Sequence, residues 1–345
     1  MSEKVKNIWA ELPKGFTVLA PMEGVTDAIF RQVITRAGRP DLFFTEFTNV
    51  SSYASERGRD NALERLEVVA TDEPIIAQIW GKNPEHFAET AGVLEGLGFA
   101  GLDINMGCPD RHVNAVGGGA AMIKTPELAV ECIRRAKQAT KLPVSVKTRL
   151  GYTYIEEFRE WLLTILREDP AALTVHLRTR KEMSKVPAHY ELIPEIAKLR
   201  DEIAPATKFV INGDIKDLRQ AKELAAKYPE VDGFMIGRGV FENPYCFTEY
   251  EPTREDLMGL LDYHLELFDA KDAEYCAKQA ERMREDSDFA LRMDGKVRGL
   301  AFEPLKRFFK IYLRDFPGAS DLRTELMETH DTAKVREILA KFATK

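Results

Sequence analysis

Short apolar runs alternate with longer amphipathic stretches through the first 250 residues. Residues 16–20, 42–46, 74–79, 101–105, 144–147, 173–176, 209–212 and 233–236 read as eight buried strands. Between them, 84–97, 126–139, 155–167 and 215–227 carry apolar positions at helical spacing. Asn83-Pro84 and Thr125-Pro126 place a capping residue before a proline suited to the first helical position. Eight consecutive strand–helix units predict an α/β fold, a (β/α)8 TIM barrel. An open doubly wound sheet would want a Gly-x-Gly-x-x-Gly turn after its first strand. The chain has Ala20-Pro21-Met22-Glu23-Gly24 there.

After Asn243-Pro244 the pattern changes and strands are no longer expected. Residues 254–270, a highly charged stretch 271–288, and 297–314, 320–329 and 331–342 read as helices, with a break at Pro317-Gly318. The expected division is a barrel over 1–250 and a C-terminal all-helical bundle domain over 251–345.

Composition narrows the classes. Of 345 residues, 44% are hydrophobic and 30% charged, ordinary for a globular protein. No run approaches the roughly 20 apolar residues of a membrane span. The first thirteen residues lack the apolar core of a signal peptide, so a cytoplasmic protein, acting as a monomer, is expected. Residues 1–10 read as a short flexible lead-in. A net charge of −7 argues against non-specific coating of nucleic acid, though not against a local basic groove. The four cysteines, Cys108, Cys132, Cys246 and Cys276, are scattered, and neither they nor the six histidines show metal-ligand spacing. No metal is expected, and Cys132, Cys246 and Cys276 read as structural.

In such a barrel, chemistry gathers at the C-terminal ends of the strands. The first strand leads into Pro21, Met22, Glu23 and Gly24. The third ends near Gln78, the fourth gives Asn105 and Cys108, and the fifth Lys147 and Arg149. The sixth gives His176 and Arg178, the seventh Asn212-Gly213-Asp214, the eighth Gly237-Arg238-Gly239. The last two, side by side, free backbone N–H groups before helices and read as a phosphate site, with Arg238 adding a charge. With Gln78, Lys147 and His176 on neighbouring strands, the ligand expected is a flat phosphorylated cofactor, and flavin mononucleotide (FMN) fits. Gln78 can bond the amide edge of the ring system. Lys147 can offset the charge that reduction places near its pyrimidine edge.

Each residue also has a plainer reading. Lys147 could be a solvated strand end or pair with Glu46 or Asp103. Gln78 could cap a loop, His176 could be a core histidine, and Cys108 could be a small buried filler. All of these would have to hold together for the rim to be merely structural.

The motifs Leu19-Ala20-Pro21-Met22-Glu23-Gly24-Val25-Thr26-Asp27, Asp103-Ile104-Asn105-Met106-Gly107-Cys108-Pro109, Val146-Lys147-Thr148-Arg149-Leu150-Gly151, His176-Leu177-Arg178-Thr179-Arg180, Asn212-Gly213-Asp214 and Gly237-Arg238-Gly239 resemble those of the tRNA-dihydrouridine synthases. The resemblance runs through the whole barrel in order and is weaker in the helical tail. It implies an FMN enzyme that reduces a tRNA uridine, in the D-loop, with NADPH. It implies that Pro21, Met22, Glu23, Gln78, Lys147, Asn212, Gly213, Asp214, Gly237 and Arg238 hold FMN with His176 close by. Cys108 would be the general acid, Asn105 would contact the base, and Arg149 and Arg178 would contact substrate. Two basic segments, 178–185 and 296–314, are candidate phosphate contacts, the second expected to turn its basic residues outward. Its Phe302, Phe308, Phe309 and Tyr312 read as core rather than base-stacking platforms. The alternatives are a flavin barrel enzyme on a free pyrimidine, of the dihydroorotate or dihydropyrimidine dehydrogenase kind, and an RNA-binding protein keeping FMN as a relic.

Overall fold

The computed structural model describes residues 6–343. Its strands are β1 (Phe16–Leu19), β2 (Phe43–Phe44), β3 (Thr48–Asn49), β4 (Ile75–Trp80), β5 (Gly101–Met106), β6 (Val144–Arg149), β7 (Ala172–His176), β8 (Lys208–Asn212) and β9 (Gly233–Ile236). They pair in parallel in the order β1-β9-β8-β7-β6-β5-β4-β2, with β3 also on β4. A single bridge between Val18 and Leu42 brings β1 against the segment that leads into β2, so the ring is nearly closed. All eight expected strands are present. The short β3 was not expected.

Side chains alternate across each strand, so every second residue faces the barrel interior. Near the N-terminal ends these rows are apolar: Phe16, Val18, Phe44, Ile76, Ala172, Val210 and Met235 form one buried cluster with Trp9. Towards the C-terminal ends the same rows turn polar while staying buried, through Gln78, Asp103, Asn105, Ser145, Thr174 and Asn212. The alternate residues, such as Leu102, Ile104, Val144 and Val146, pack outward under the helices. On β4, β7 and β8 the inward row therefore runs from apolar packing to candidate chemistry.

The expected lead-in is corrected in part. Residues 1–5 lie outside the described residues, but Ile8–Glu11 is a helix whose first turn is capped by Asn7, accepting from the Trp9 amide at 3.2 Å. Trp9 is fully buried, with ring centroids 6.0 Å from Phe16 and 6.2 Å from Phe44. An indole that closes the bottom of the barrel cannot be a loose segment.

Beyond the barrel, the two expected helices 254–270 and 271–288 are one helix, Arg254–Glu285, opened by a capping box between Thr253 and Asp256. It packs on the helix Ala28–Gly38 that follows β1, and its His264 lies 4.9 Å from Phe308, which in turn lies 4.8 Å from Phe30. Burial lowers His264 to a pKa of about 3, so the neutral ring sits 2.7 Å from the Tyr312 hydroxyl. One continuous apolar core runs from the barrel helices into this segment.

The stretch 297–314 is not one amphipathic helix. It holds two short turns, Glu303–Lys306 and Phe309–Tyr312. Phe308, Phe309 and Tyr312 are core, as expected, and Phe302 is half-buried. Lys306 departs from the expected outward face: it is buried, donating to Glu303 at 2.7 Å and to the Met327 carbonyl at 2.9 Å. Lys296, Arg298, Arg307 and Lys310 are exposed. Among the described residues, no helix is long and apolar enough to cross a membrane.

Candidate active site

Cys108 is the second residue of the loop beyond β5, half-buried, and the last inward residue of that strand fixes it. The Asn105 side-chain oxygen Oδ1 accepts from the amides of Gly107 at 3.1 Å and Cys108 at 2.9 Å. The Cys108 carbonyl accepts from the Ala120 amide at 3.0 Å and from Asn114 Nδ2 at 2.8 Å. Gly107 is needed for close approach, since a Cβ there would lie 3.2 Å from the Thr148 backbone. Burial raises the Cys108 thiol above its ordinary pKa, despite the charges of Lys147 and Arg149. A thiol held protonated can give up a proton but is a poor thiolate nucleophile.

Behind Asn105 the bonds continue inward. Asn105 Nδ2 donates to Gln78 Oε1 at 2.9 Å, Gln78 Nε2 donates to Asp103 at 2.7 Å, and the Ser145 hydroxyl donates to the other Asp103 oxygen at 2.6 Å. Gln78, Asp103 and Ser145 are fully buried and sit side by side in register on β4, β5 and β6. Burial raises Asp103 to about 6, with the bonds from Ser145 and Gln78 opposing the shift. The sequence reading cast Gln78 and Asn105 as ligand contacts; the structure also makes them links to Cys108.

Lys147 lies one inward position beyond Ser145, beside Asn105 in register. Among the described residues it forms no ion pair, neither with Glu46 nor with Asp103. Burial, helped by Arg149, lowers it to about 8. His176, at the end of β7, is pushed well below its ordinary pKa by burial and by the charges of Arg149 and Lys147. Its Nδ1 is buried without a partner, as are Thr174 Oγ1 below it and Arg178 Nη1 beyond it. Unpaired buried polar atoms beside a cationic cluster describe a surface shaped for an electron-rich, hydrogen-bonding ligand.

The ends of β8, β9 and β1 adjoin this surface. Asn212 Nδ2 donates to the Met235 carbonyl at 2.8 Å, tying β8 to β9. Gly213 has φ +125°, and a Cβ there would lie 3.7 Å from His176 Cε1. A Cβ on Gly237 would lie 3.8 Å from Met22 Sδ, so Gly237 and the Pro21-Met22 turn are neighbours. Among the described residues, the amides of Gly213, Asp214, Gly237 and Arg238 donate no hydrogen bond. Arg238 is exposed and pairs with Asp214 at 3.0 Å. Burial works against the Asp214 carboxylate, yet bonds from Arg178 and the Ala188 amide hold it below its usual range.

Two expected substrate contacts are committed elsewhere. Arg149 is buried and donates to the carbonyls of Gly107 at 2.7 Å, Thr179 at 3.2 Å and Met183 at 3.2 Å, clamping the Cys108 loop to the loop after β7. Arg178 is buried on Asp214 and the Val186 carbonyl, with only Nη1 left over. Glu23 is exposed at the rim, paired with Arg65. Beside the Cys108 loop a cleft of about 560 Å³ is lined by Glu23, Phe47, Arg65, Trp80, Asp110 and Val113. Sequence reasoning missed Ser145 and Arg65, and took Asp103 only as an ion-pair partner. The legible signal was phase: Asp103 and Ser145 are polar residues two positions before Asn105 and Lys147 in otherwise apolar strands.

The family model described as dihydrouridine synthase matches residues 18–345. A probable tRNA-dihydrouridine synthase 2 of Bacillus subtilis (strain 168) is 51% identical over 343 residues, 99% of this chain and 98% of the relative. A probable tRNA-dihydrouridine synthase of Staphylococcus epidermidis is 48% identical over 340 residues, 98% of this chain and 96% of the relative. Among solved structures, an old yellow enzyme homologue from Zymomonas mobilis aligns with a TM-score of 0.44 and 14% identity, covering 68% of this chain and 89% of that one. A morphinone reductase aligns with a TM-score of 0.45 and 12% identity, covering 67% and 85%. The chain belongs to the dihydrouridine synthase family, a family of oxidoreductases.

Proposed function

We propose that this member of the dihydrouridine synthase family reduces the C5–C6 double bond of a D-loop uridine in tRNA, with bound FMN and with NADPH as reductant. The observation that carries the reading is Cys108: a thiol kept protonated by burial and anchored by Asn105, within the field of the unpaired Lys147.

The residues present fit FMN. His176 Nδ1 is buried without a partner, Lys147 lacks a counter-ion, and the loops after β8 and β9 offer unengaged amides. Asn212, Gly213, Asp214, Gly237 and Arg238 would hold the phosphate end. Gln78 and Lys147 would meet the ring's pyrimidine edge, with His176 alongside. Pro21, Met22 and Glu23 would line the side towards β1. Gln78 keeps a second N–H and a second lone pair beyond its internal bonds. When bound, FMN would supply the hydride for uracil C6, with NADPH as its source.

The chain's own residues do the rest. As hydride arrives at C6, electron density moves towards C5 and O4 of the base. Lys147 stabilises that charge. The S–H bond of Cys108 breaks, its proton joins C5, and the thiolate is reprotonated from solvent. Asn105 holds the thiol in place and keeps one Nδ2–H for the base. Arg149 and Arg178 act by fixing the loops around it. The cleft beside Trp80 and Phe47 gives the neighbouring RNA room once the uridine has left its stack.

An acidic protein holds RNA through local basic surface. The segment 251–345 is the proposed tRNA-binding domain, presenting Lys296, Arg298 and Lys310. Its Arg307 donates to the Gly24 carbonyl at 2.6 Å and so reaches the loop that carries Met22 and Glu23. Lys181 and Lys185, beyond β7, are exposed on the basic loop that follows His176. One copy of the chain carries every residue named, so a monomer suffices. Incubating the purified protein with unmodified tRNA and NADPH tests the reading: dihydrouridine should form in the tRNA and not from free uridine. Equal reduction of the free pyrimidine would overturn it.

A further inference from the structure

We propose that Asp103 is a positioning residue that fixes the donor–acceptor order of a buried side-chain chain ending at Cys108. The inference rests on the reading of Cys108 as proton donor, and extends the machinery to a group that touches neither substrate nor cofactor.

The chain runs Ser145, Asp103, Gln78, Asn105, then the amides of Gly107 and Cys108. Its two middle members are carboxamides, which fill nearly the same space either way round. Their orientation is set by the ends. Backbone amides can only donate, so they need the Asn105 oxygen. That turns Asn105 Nδ2 towards Gln78, Gln78 Oε1 towards Asn105, and Gln78 Nε2 towards Asp103. An ionised carboxylate only accepts, so Asp103 closes the sequence at the other end. A reversed Gln78 would set its oxygen against the carboxylate and its N–H groups against those of Asn105. Gln78, Asp103 and Ser145 are 0% exposed, so water cannot repair such a mismatch. Strand register enforces the contacts: Gln78 is opposite Asp103, and Asp103 is opposite Ser145. Lys147, the charge that faces Asp103 from β6, favours the ionised form.

Asp103→Asn keeps the shape but leaves the order held from the Cys108 end alone, because a third amide can donate or accept. Reversal of Gln78 and Asn105 then no longer sets an oxygen against a carboxylate, so the reversed arrangement, in which the Gly107 and Cys108 amides have no acceptor, is visited more often. Hydrogen exchange of those two amides reads this directly, on the protein as purified. Asp103→Asn should speed their exchange by about tenfold or more, with exchange in β8 and β9 unchanged. Ser145→Ala leaves the order intact and should leave both amides protected. The double variant Asp103→Asn with Gln78→Glu moves the acceptor-only group one step along the chain, where it again faces Asn105 Nδ2; protection should return. Unchanged protection in Asp103→Asn, equal loss in Ser145→Ala, or no recovery in the double variant would each overturn the proposal. Exchange needs no turnover, so a protein that showed this pattern yet made no dihydrouridine would overturn the function proposed above and leave the ordering of the chain intact.

Discussion

The Asn105 side-chain oxygen takes the backbone amide of Cys108 at 2.9 Å, so the last inward residue of β5 sets the place of the thiol three residues on. The strand is held by the barrel on both sides and the loop is not. Through this bond, rigidity passes from the sheet to the one group assigned to move a proton.

Lys147 gives the site a pH dependence. Its pKa is lowered to about 8, first by burial and then by Arg149. The ammonium is present below that value and lost above it. Turnover should therefore fall as pH rises through about 8. Lys147→Met should lower the plateau by about a hundredfold and remove that alkaline limb. A limb that persisted in the variant would assign it to another group.

Gly213 has φ +125°, a conformation that side chains rarely adopt. In Gly213→Ala the new methyl would also crowd Ala188 and approach His176. The purified variant should carry much less FMN per chain, read from its visible absorbance, while its circular dichroism stays that of the parent. Full FMN content would place the cofactor away from this turn.

Trp9 closes the apolar end of the barrel and is fully buried. Trp9→Ala should destabilise the fold by about 3–5 kcal/mol in denaturant unfolding. No change would mean that the helix Ile8–Glu11 is only loosely attached.

The eight strands and their order were legible because alternation and helix-start signals repeat at short range. So were the strand ends that meet at the site, since a polar residue ending an apolar strand stands out. Trp9 was not, because its burial depends on how the short helix folds back onto Phe16 and Phe44, which no local pattern shows. The roles of Arg149 and Arg178 were hidden for a related reason. A guanidinium at a strand end reads as a ligand contact, and only the folded loops show that carbonyls of Gly107, Thr179 and Val186 already occupy it. The break in 297–314 was missed because aromatic residues on two sides of the segment both find buried partners, so no single outward face remains.

The helical segment shares its core with the barrel through Phe30, His264, Phe308 and Tyr312. Deleting residues 253–345 should therefore leave an insoluble barrel rather than a test of RNA binding. Charge reversal is the sharper probe. Lys296→Glu and Arg298→Glu should each weaken tRNA binding several-fold and reduce the salt dependence by about one phosphate contact. Unchanged affinity and salt slope in both would remove this surface from the interface.

The most direct test is a single turnover without oxygen: protein reduced by NADPH, freed of excess reductant, and mixed with unmodified tRNA. The parent should reoxidise its flavin and form dihydrouridine in step. Cys108→Ala should bind the same FMN and tRNA, yet form dihydrouridine at least about a hundredfold more slowly. Formation at the parent rate in Cys108→Ala would contradict the assignment of the proton to this thiol.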